Sequence, residues 1–405
     1  MIKILQINIT ANWGSHGRIA EGIGLQIQEK GWQSYIAYGR WMNPSQSKLY
    51  RIGSDWDERL HGVISRIFDN QGLLSKHPTK QLIAYIQKVK PDLIHLHNIH
   101  GYYINYPILF EFLKQYNRPV VWTLHDCWTF TGHCAHYMFV DCKKWQTHCK
   151  ECPLKSNYPK SILMDRSYQN FENKRKYFLS VPNLTLVTVS KWLENDTKKS
   201  FFKNQSIVNI YNGIDLHKFI PQKNEQNIRA KYNIPTSKII ILGVASNWYR
   251  KGLDDFIQLR QLLDDSYTII LVGLKDKELK QLSSGIIGIK RTENQEELSQ
   301  LYSAANVYVN LTREDNFPTT NLEAMACGTP VITYNTGGSQ EAITPETGIV
   351  CTKGNIEEVK QSIINISQKK RLIFRQKCRK RAEDYFDQDK RFRDYIELYE
   401  KLIKK

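Results

Sequence analysis

Long apolar runs are missing from this 405-residue chain. No stretch of 18 apolar residues occurs, so no transmembrane helix is expected. The longest runs, such as Ile239 to Ala245, are strand-length. The start has no cationic head followed by an apolar core. Met1 to Ile9 instead alternates in the manner of a strand, so no secretory leader is expected and the chain reads as cytoplasmic. No segment recurs with a period of roughly 20–50 residues, which excludes solenoids and propellers. Acidic side chains are scarce: 40 Asp plus Glu stand against 57 Lys plus Arg, a formal net charge of +17. Residues 1–212 hold 27 basic and 15 acidic side chains, so this half should attract anionic partners. The apolar share of 41% and charged share of 24% are ordinary for a globular chain and exclude a disordered or fibrous one. At roughly 150 residues per domain, two or three domains are expected.

What is present is a repeated strand-then-helix rhythm. Ile2–Ile9, Gln33–Tyr38, Leu93–His97, Val120–His125, Leu184–Val189 and Ile207–Tyr211 read as strands. Gly14–Lys30, Lys80–Val89, Pro107–Tyr116 and Lys191–Ser200 read as helices. Asn212 to Asn233 breaks the rhythm and reads as a linker. A second series comes next, with strands Lys238–Ala245, Tyr267–Val272, Ala305–Asn310 and Val331–Tyr334. Its helices are Leu253–Leu263, Gln295–Ala304 and Asn321–Met325, and Ile356 to Lys405 is helical and basic. Such alternation predicts an α/β chain of two lobes, each a parallel sheet covered by helices. Ligands of such sheets bind beyond the carboxyl ends of the strands, so a cleft between lobes is the expected site.

The most informative stretch is Asn310-Leu-Thr-Arg-Glu-Asp-Asn-Phe-Pro-Thr-Thr-Asn-Leu-Glu-Ala-Met-Ala-Cys-Gly-Thr-Pro-Val-Ile. A strand ends, a polar loop comes after it, and a helix begins near Thr320. Backbone amides at a helix start hold diphosphates, aided by the helix dipole. Glu323, one turn inside, suits a ribose diol, and Asp315, eight residues earlier, suits sugar hydroxyls.

This stretch resembles the donor-binding motif of glycosyltransferase family 4, retaining enzymes of the GT-B fold. That family carries two acidic residues with seven between, then Ala-Met-Ala-Cys-Gly-Thr-Pro-Val. Here Asp315 stands in place of the commoner Glu. Asn212-Gly-Ile-Asp215, Lys251-Gly252 and Gly337-Gly338-Ser-Gln-Glu341 are similar to other signatures of the family, as is Gly14-Ser-His-Gly17 after the first strand. The resemblance implies two Rossmann-like lobes. An N-terminal acceptor lobe of 1–212 is rejoined by a final helix of 385–405, and a donor lobe covers 213–384. It implies a nucleotide-sugar donor, UDP- or GDP-linked, and a glycan or lipid-linked acceptor, with no cofactor required for transfer. Glu323 is expected to hold the ribose and Asp315 the donor sugar. The amides of Thr319, Thr320 and Asn321 take the diphosphate with Lys251, and Gly14 and Gly17 approach the donor phosphates. The chain departs from the family at Ser246, where an Arg is common. Arg250 is the candidate for the missing charge.

In the first lobe, Val120-Val-Trp-Thr-Leu-His125-Asp126 ends a buried strand with two polar groups. The resemblance implies that His125 contacts the donor sugar, and Asp126 either orients the imidazole or caps the next turn of chain. His95, His97 and His100 share another strand end without a nearby carboxylate, so His97 or Asn98 reads as lining the site rather than binding metal. Cys134, Cys142, Cys149 and Cys152, closing in Cys-x-x-Cys, have the spacing of a structural zinc site, with disulfides or free thiols as alternatives. Lys174 to Lys176, Lys198, Lys199 and Lys203, interleaved with Tyr177, Phe178, Phe201 and Phe202, read as a peripheral contact with an anionic inner membrane face, or as plain surface. No nucleic-acid module is present. The expected activity is retaining sugar transfer in surface-polysaccharide assembly. The alternatives are a nucleotide-sugar-binding protein without activity, a dehydrogenase, which lacks its Gly-x-Gly-x-x-Gly here, and a basic nucleic-acid binder.

Overall fold

A computed structural model describes residues 1–222, 225–368 and 371–404. Positions 223 and 224 of the expected linker, 369 and 370 of the basic helical tail, and 405 of the expected final helix lie outside the described residues. The chain divides into two compact units. One is Met1–Tyr211 with the stretch that begins at Arg391, and the other is Asn212–Lys390.

The first unit holds one seven-stranded sheet of β1 (Lys3–Asn8), β2 (Gln33–Tyr38), β3 (Lys48–Arg51), β4 (Leu93–Leu96), β5 (Val120–Leu124), β6 (Leu184–Thr188) and β7 (Ser206–Asn209). Its order is β3-β2-β1-β4-β5-β6-β7, parallel throughout. Parallel strands need crossovers. These carry α1 (Gly14–Glu29), α2 (Asp55–Phe68), α3 (Lys76–Val89), α4 (Tyr106–Tyr116), α5 (Ser167–Phe178) and α6 (Lys191–Lys199). β4, β5 and β6 are buried along their whole length, and their few polar residues, His95, Thr123, Thr185 and Thr188, are buried with the apolar ones. Asn105 and Ser190 begin α4 and α6 by accepting the amides of Ile108 and Leu193.

The second unit holds β8 (Ile239–Val244), β9 (Tyr267–Val272), β10 (Ile286–Ile289), β11 (Val307–Asn310), β12 (Val331–Tyr334) and β13 (Gly348–Cys351). Their order is β10-β9-β8-β11-β12-β13, again parallel. Its helices are α7 (Gln226–Lys231), α8 (Leu253–Leu262), α9 (Asp276–Leu279), α10 (Gln295–Ala304), α11 (Thr319–Ala326), α12 (Ile356–Ser367) and α13 (Arg371–Tyr385). The last helix, α14 (Gln388–Ile403), packs Phe392, Tyr395, Ile396 and Tyr399 into the core of the first unit against Ile4, Ile23, Leu93 and Val121.

In each sheet one pair of neighbours is not consecutive at the centre: β1 beside β4, and β8 beside β11. These are the points where the winding reverses, and where doubly wound sheets bind ligands. The expected donor-site helix is there, as α11. Among the elements without a counterpart in the sequence reading are β3, α2, β10 and β13, with the short helices α7 and α9. The three strands are four-residue edge segments. α2 lacks an inward stripe of large apolar residues, because its buried positions are His61, Gly62 and Ser65.

Candidate functional site

In the second unit, two loops meet at the reversal point. The loop after β8 carries Ser246, Arg250 and Lys251, and the loop after β11 carries Arg313, Glu314 and Asp315. Backbone joins them, with the Arg313 N–H donating to the Arg250 carbonyl at 2.9 Å. Side chains join them again. The Lys251 ammonium pairs with Asp315, and Arg250 Nε lies 2.7 Å from Glu314 Oε1. Gly252 makes this approach possible. It has a φ of +75°, and a Cβ there would stand 2.6 Å from the Leu311 carbonyl oxygen. Arg313 in turn reaches Asp255 on α8 at 2.8 Å. Ser246 is exposed in the same loop.

Thr319 and Thr320 open α11, where the first amides have no acceptor within the helix. Asn321 differs from expectation. Its amide donates to the Pro318 carbonyl at 3.2 Å. Its buried side chain accepts from Asn310 at 2.8 Å and donates to the Ser339 carbonyl at 3.0 Å. Asn321 is therefore a clamp between β11 and the turn Gly337–Ala342, and it is not an available donor for phosphate. One turn on, Glu323 Oε2 accepts from the Tyr302 hydroxyl at 2.8 Å. Burial, then the charge of Glu323, pushes the Tyr302 phenol well above its usual value, so it stays a donor.

In the first unit, Gly14 and Gly17 lie in the first turns of α1, beside the end of β1. Gly17 is there because a Cβ would stand 2.6 Å from Thr10 Oγ1. His125 comes just after β5 and belongs to a chain of oriented groups. Gln6 Nε2 donates to the Ala20 carbonyl at 2.8 Å, so Gln6 Oε1 faces His97 Nε2 at 3.0 Å as an acceptor. His97 is then protonated at Nε2, and its Nδ1 accepts from His125 Nε2 at 3.1 Å. Burial, then His97, pushes the His125 ring well below the ordinary imidazole value and keeps it neutral. Its Nδ1 is left as the acceptor side of the ring. Asp126 does not orient His125. It lies 2.7 Å from His100 Nε2 and accepts the Trp128 amide at 2.9 Å. Burial pushes its carboxyl up, but His100 more than offsets this and holds it well below the usual range. His95 is fully buried, between Thr123 at 2.8 Å and the Tyr399 hydroxyl at 2.5 Å, and lines nothing.

Sequence reasoning missed Tyr302, Gln6 and Glu314, whose roles arise only from long-range pairing. It also missed His16, whose ring lies 6.0 Å from that of His125. Burial pushes His16 down to about 4. The Gly-Ser-His-Gly spacing holds the signal for it.

The zinc expectation is not supported. Among the described residues no group of three or more His, Cys, Asp or Glu is placed to hold a metal ion. Cys134, Cys142, Cys149 and Cys152 do line one small cavity of about 10 Å³, and the Cys134 and Cys152 thiols hydrogen-bond to each other. A hydrogen bond from Cys134 pushes Cys152 down to about 7, and burial pushes Cys149 up to about 12. All four are unbridged. The expected basic membrane face is not supported either, and part of it is not on the surface. Lys174 is buried, donating to the carbonyls of Trp128 at 2.6 Å and Thr131 at 3.0 Å, and Phe178 and Phe202 are core. Lys198 and Lys199 are spent on Glu194 and Asp196. No helix of the described residues is long and apolar enough to cross a membrane.

Comparison with known proteins agrees with this fold. The family model described as Glycosyltransferase Family 4 matches residues 17–218, and that described as Glycosyl transferases group 1 matches 224–385. The chain is 24% identical over 377 residues to a putative colanic acid biosynthesis glycosyl transferase, WcaC, of Escherichia coli K12, covering 89% of each. Its fold is similar to sucrose-phosphate synthase from Thermosynechococcus elongatus, with a TM-score of 0.74 at 18% identity over 99% of both chains. It is also similar to Anabaena Alr3699/HepE, solved in complex with UDP, with a TM-score of 0.68 at 15% identity over 99% of this chain and 100% of that one. The chain belongs to glycosyltransferase family 4 and is a glycosyltransferase of the GT-B fold.

Proposed function

We propose that the protein is a retaining hexosyltransferase that moves a sugar from a UDP-linked donor, with a GDP-linked donor as the second choice. The acceptor is a glycan or a lipid-linked glycan in surface-polysaccharide assembly. The observation that carries this reading is the cluster at the ends of β8 and β11, where Lys251–Asp315 and Arg250–Glu314 stand beside the start of α11 and Glu323. A diphosphate entering there takes Lys251 as its partner. Asp315 is released to accept hydroxyls of the transferred sugar. The amides of Thr319 and Thr320 add donors, and Glu323, steadied by Tyr302, takes the ribose. Cations and amides fixed before reaction stabilise the charge that builds on the departing diphosphate. Retention rests on the family resemblance, by front-face attack in which that phosphate accepts the acceptor's proton. His125, presenting Nδ1 as an acceptor, is assigned to the transferred sugar. UDP is favoured by the UDP complex of the Anabaena protein, and polysaccharide assembly by the name of the Escherichia coli relative.

Incubation with UDP-glucose, UDP-N-acetylglucosamine and GDP-mannose, with nucleoside diphosphate release and the anomer read by NMR, tests this reading. Slow hydrolysis to the α-anomer, abolished in Asp315→Asn and Lys251→Ala, is expected. Release of the inverted anomer removes the retaining assignment. Binding without release from any donor leaves a nucleotide-sugar-binding protein.

A further inference from the structure

In the first unit the chain leaves β1 toward Trp13 and leaves β2 toward Arg40 and Trp41, and these two loops are tied together. The Ala11 N–H donates to the Trp41 carbonyl at 3.2 Å, and the Asn43 N–H to the Ala11 carbonyl at 3.1 Å. The Asn12 side chain donates to the Pro44 carbonyl at 2.6 Å. The ties hold two residues other than glycine in the left-handed region, Asn12 at a φ of +48° and Trp41 at +42°. Such backbone persists only where its surroundings enforce it, and it gathers at ligand sites. What it presents is a pair of indoles. The Trp13 and Trp41 ring centroids are 4.5 Å apart and the planes are tilted by 44°, yet the residues stay 43% and 54% exposed. Two fixed aromatic faces left open at strand ends suit the apolar face of a pyranose ring.

Trp41 is also one wall of a cavity of about 430 Å³, and Tyr102 is another. The charged walls are Arg40, Arg59 and Arg66 against Asp55 and Glu58. Both carboxylates are already matched. Glu58 lies 2.7 Å from Arg40, and Asp55 pairs with Arg51, which is not part of the lining. Asp57, nearby on α2, is turned back to accept the Ser54 N–H at 2.9 Å. Arg59 and Arg66 pair with no carboxylate among the described residues, and Arg66 lies 5.6 Å from the Tyr102 ring centroid. Arg40 stands 4.4 Å from the Trp41 ring centroid, and its Nε is buried with no acceptor among the described residues. Guanidinium groups left in this way take carboxylate or phosphate oxygens. The cavity is within electrostatic reach of His125. Burial and then His100 do most to push the His16 ring down, Arg40 adds to them, and that ring is 6.0 Å from the ring of His125.

We propose that this cavity receives the acceptor and that the acceptor sugar is acidic. The ring stacks on Trp13 and Trp41, and a carboxylate or phosphate carried by the same ring meets Arg59 and Arg66. The indoles and the arginines border one cavity, so ring and anion belong to one residue of the acceptor. A neutral sugar would leave both arginines to solvent. This inference deepens the reading of the chain as a sugar transferase and rests on it.

The test is an NMR titration of the full chain, without donor, by four probes. They are methyl β-D-glucoside, methyl β-D-glucuronide, the 6-phosphate of methyl β-D-glucoside, and geranyl diphosphate. Both acidic glycosides are expected to bind about tenfold more tightly than the neutral one, the worth of a hydrogen bond to a charged group. Arg59→Gln/Arg66→Gln removes that preference. Trp13→Ala/Trp41→Ala weakens all three glycosides by about fivefold. Lys88→Gln/Lys114→Gln takes the same charge from exposed positions elsewhere in the first unit and keeps the preference. Thermal unfolding checks that the variants stay folded. Equal binding of neutral and acidic glycosides overturns the proposal, as does no binding of any glycoside. A preference that survives in the arginine variant, or is lost in the lysine variant, shows only the attraction of a basic protein and overturns it too. Tight binding of geranyl diphosphate without the acidic glycosides assigns the arginines to a lipid diphosphate and not to an acidic sugar, which also overturns it. Wild type is titrated with UDP in a separate run. Nucleotide binding without the acidic preference removes this inference alone, and the acidic preference without nucleotide binding removes the donor reading alone.

Discussion

The hydroxyl of Tyr302 donates to Glu323 Oε2 at 2.8 Å, tying the expected ribose ligand to a fully buried ring. A carboxylate on a short helix is thereby held before any ligand arrives. Tyr302→Phe should leave the fold intact and weaken donor binding by about fivefold, the worth of one hydrogen bond. Glu323→Ala should cost more, about tenfold or beyond, since a charged acceptor is lost. Isothermal titration with the nucleoside diphosphate checks both. Equal affinity in wild type and Glu323→Ala would remove Glu323 from the donor site.

Gly252 holds the loop that presents Lys251. Gly252→Ala must adopt a φ of +75° and move the Leu311 carbonyl, which stands 2.6 Å from the new methyl. A destabilisation of about 1–3 kcal/mol is expected, together with weaker binding of the diphosphate because Lys251 moves with its neighbour. Urea unfolding and titration read the two effects. A variant as stable as wild type would show that the loop relaxes freely.

Gln6 is joined to His125 through His97, so if His125 serves the transferred sugar as proposed, Gln6 positions it. Gln6→Leu removes the acceptor that selects the His97 tautomer. Turnover should fall by roughly tenfold with little change in KM for the donor. A merely structural role would lower the melting temperature and leave the turnover of the folded fraction alone.

Acid should weaken the first unit through His61. Its Nε2 accepts the Gly72 N–H at 3.2 Å while its Nδ1 donates to Ser75 at 2.7 Å, so the ring must be neutral. Burial pushes it down to about 4. A depressed folded value means that the unfolded chain binds the proton first. The full stability is present above about 6.5 and is lost as pH falls toward about 4, by about 3 kcal/mol for this group alone. His16, pushed down to about 4 as well, acts in the same direction. Urea unfolding at pH 7, 5.5 and 4.5 measures the slope. A flat profile over that range would mean that His61 is protonated without strain.

The sheets were legible in the chain because parallel strands, buried on both faces, appear as runs that are apolar but for a single threonine, such as Val120–Leu124 and Tyr267–Val272. The loop 311–318 and α11 were legible because a polar loop between a strand and a glycine-stopped helix has few other uses. α2 was not, because its large apolar residues point outward. Lys174 misled for the opposite reason: a lysine in a basic run is expected in solvent, yet two carbonyls and the Trp128 ring at 3.6 Å take it inside. The cysteine spacing brings all four residues to one small cavity, but as unbridged thiols and not as a metal group among the described residues. Tyr302 and Gln6 left no local trace, since each matters only through a partner 21 or 91 positions away: Glu323 for Tyr302, His97 for Gln6.

The central claim is that the ends of β8 and β11 bind a nucleoside diphosphate. Thermal unfolding with UDP, GDP, ADP and their glucose or mannose conjugates, with Glu323→Ala alongside, tests it most directly. A ligand of the folded state raises the melting temperature by mass action, by several degrees at about a hundredfold excess over Kd. The expected result is a rise with the UDP series, or failing that the GDP series, that disappears in Glu323→Ala. A rise that survives in Glu323→Ala, or no rise with any nucleotide, would contradict it.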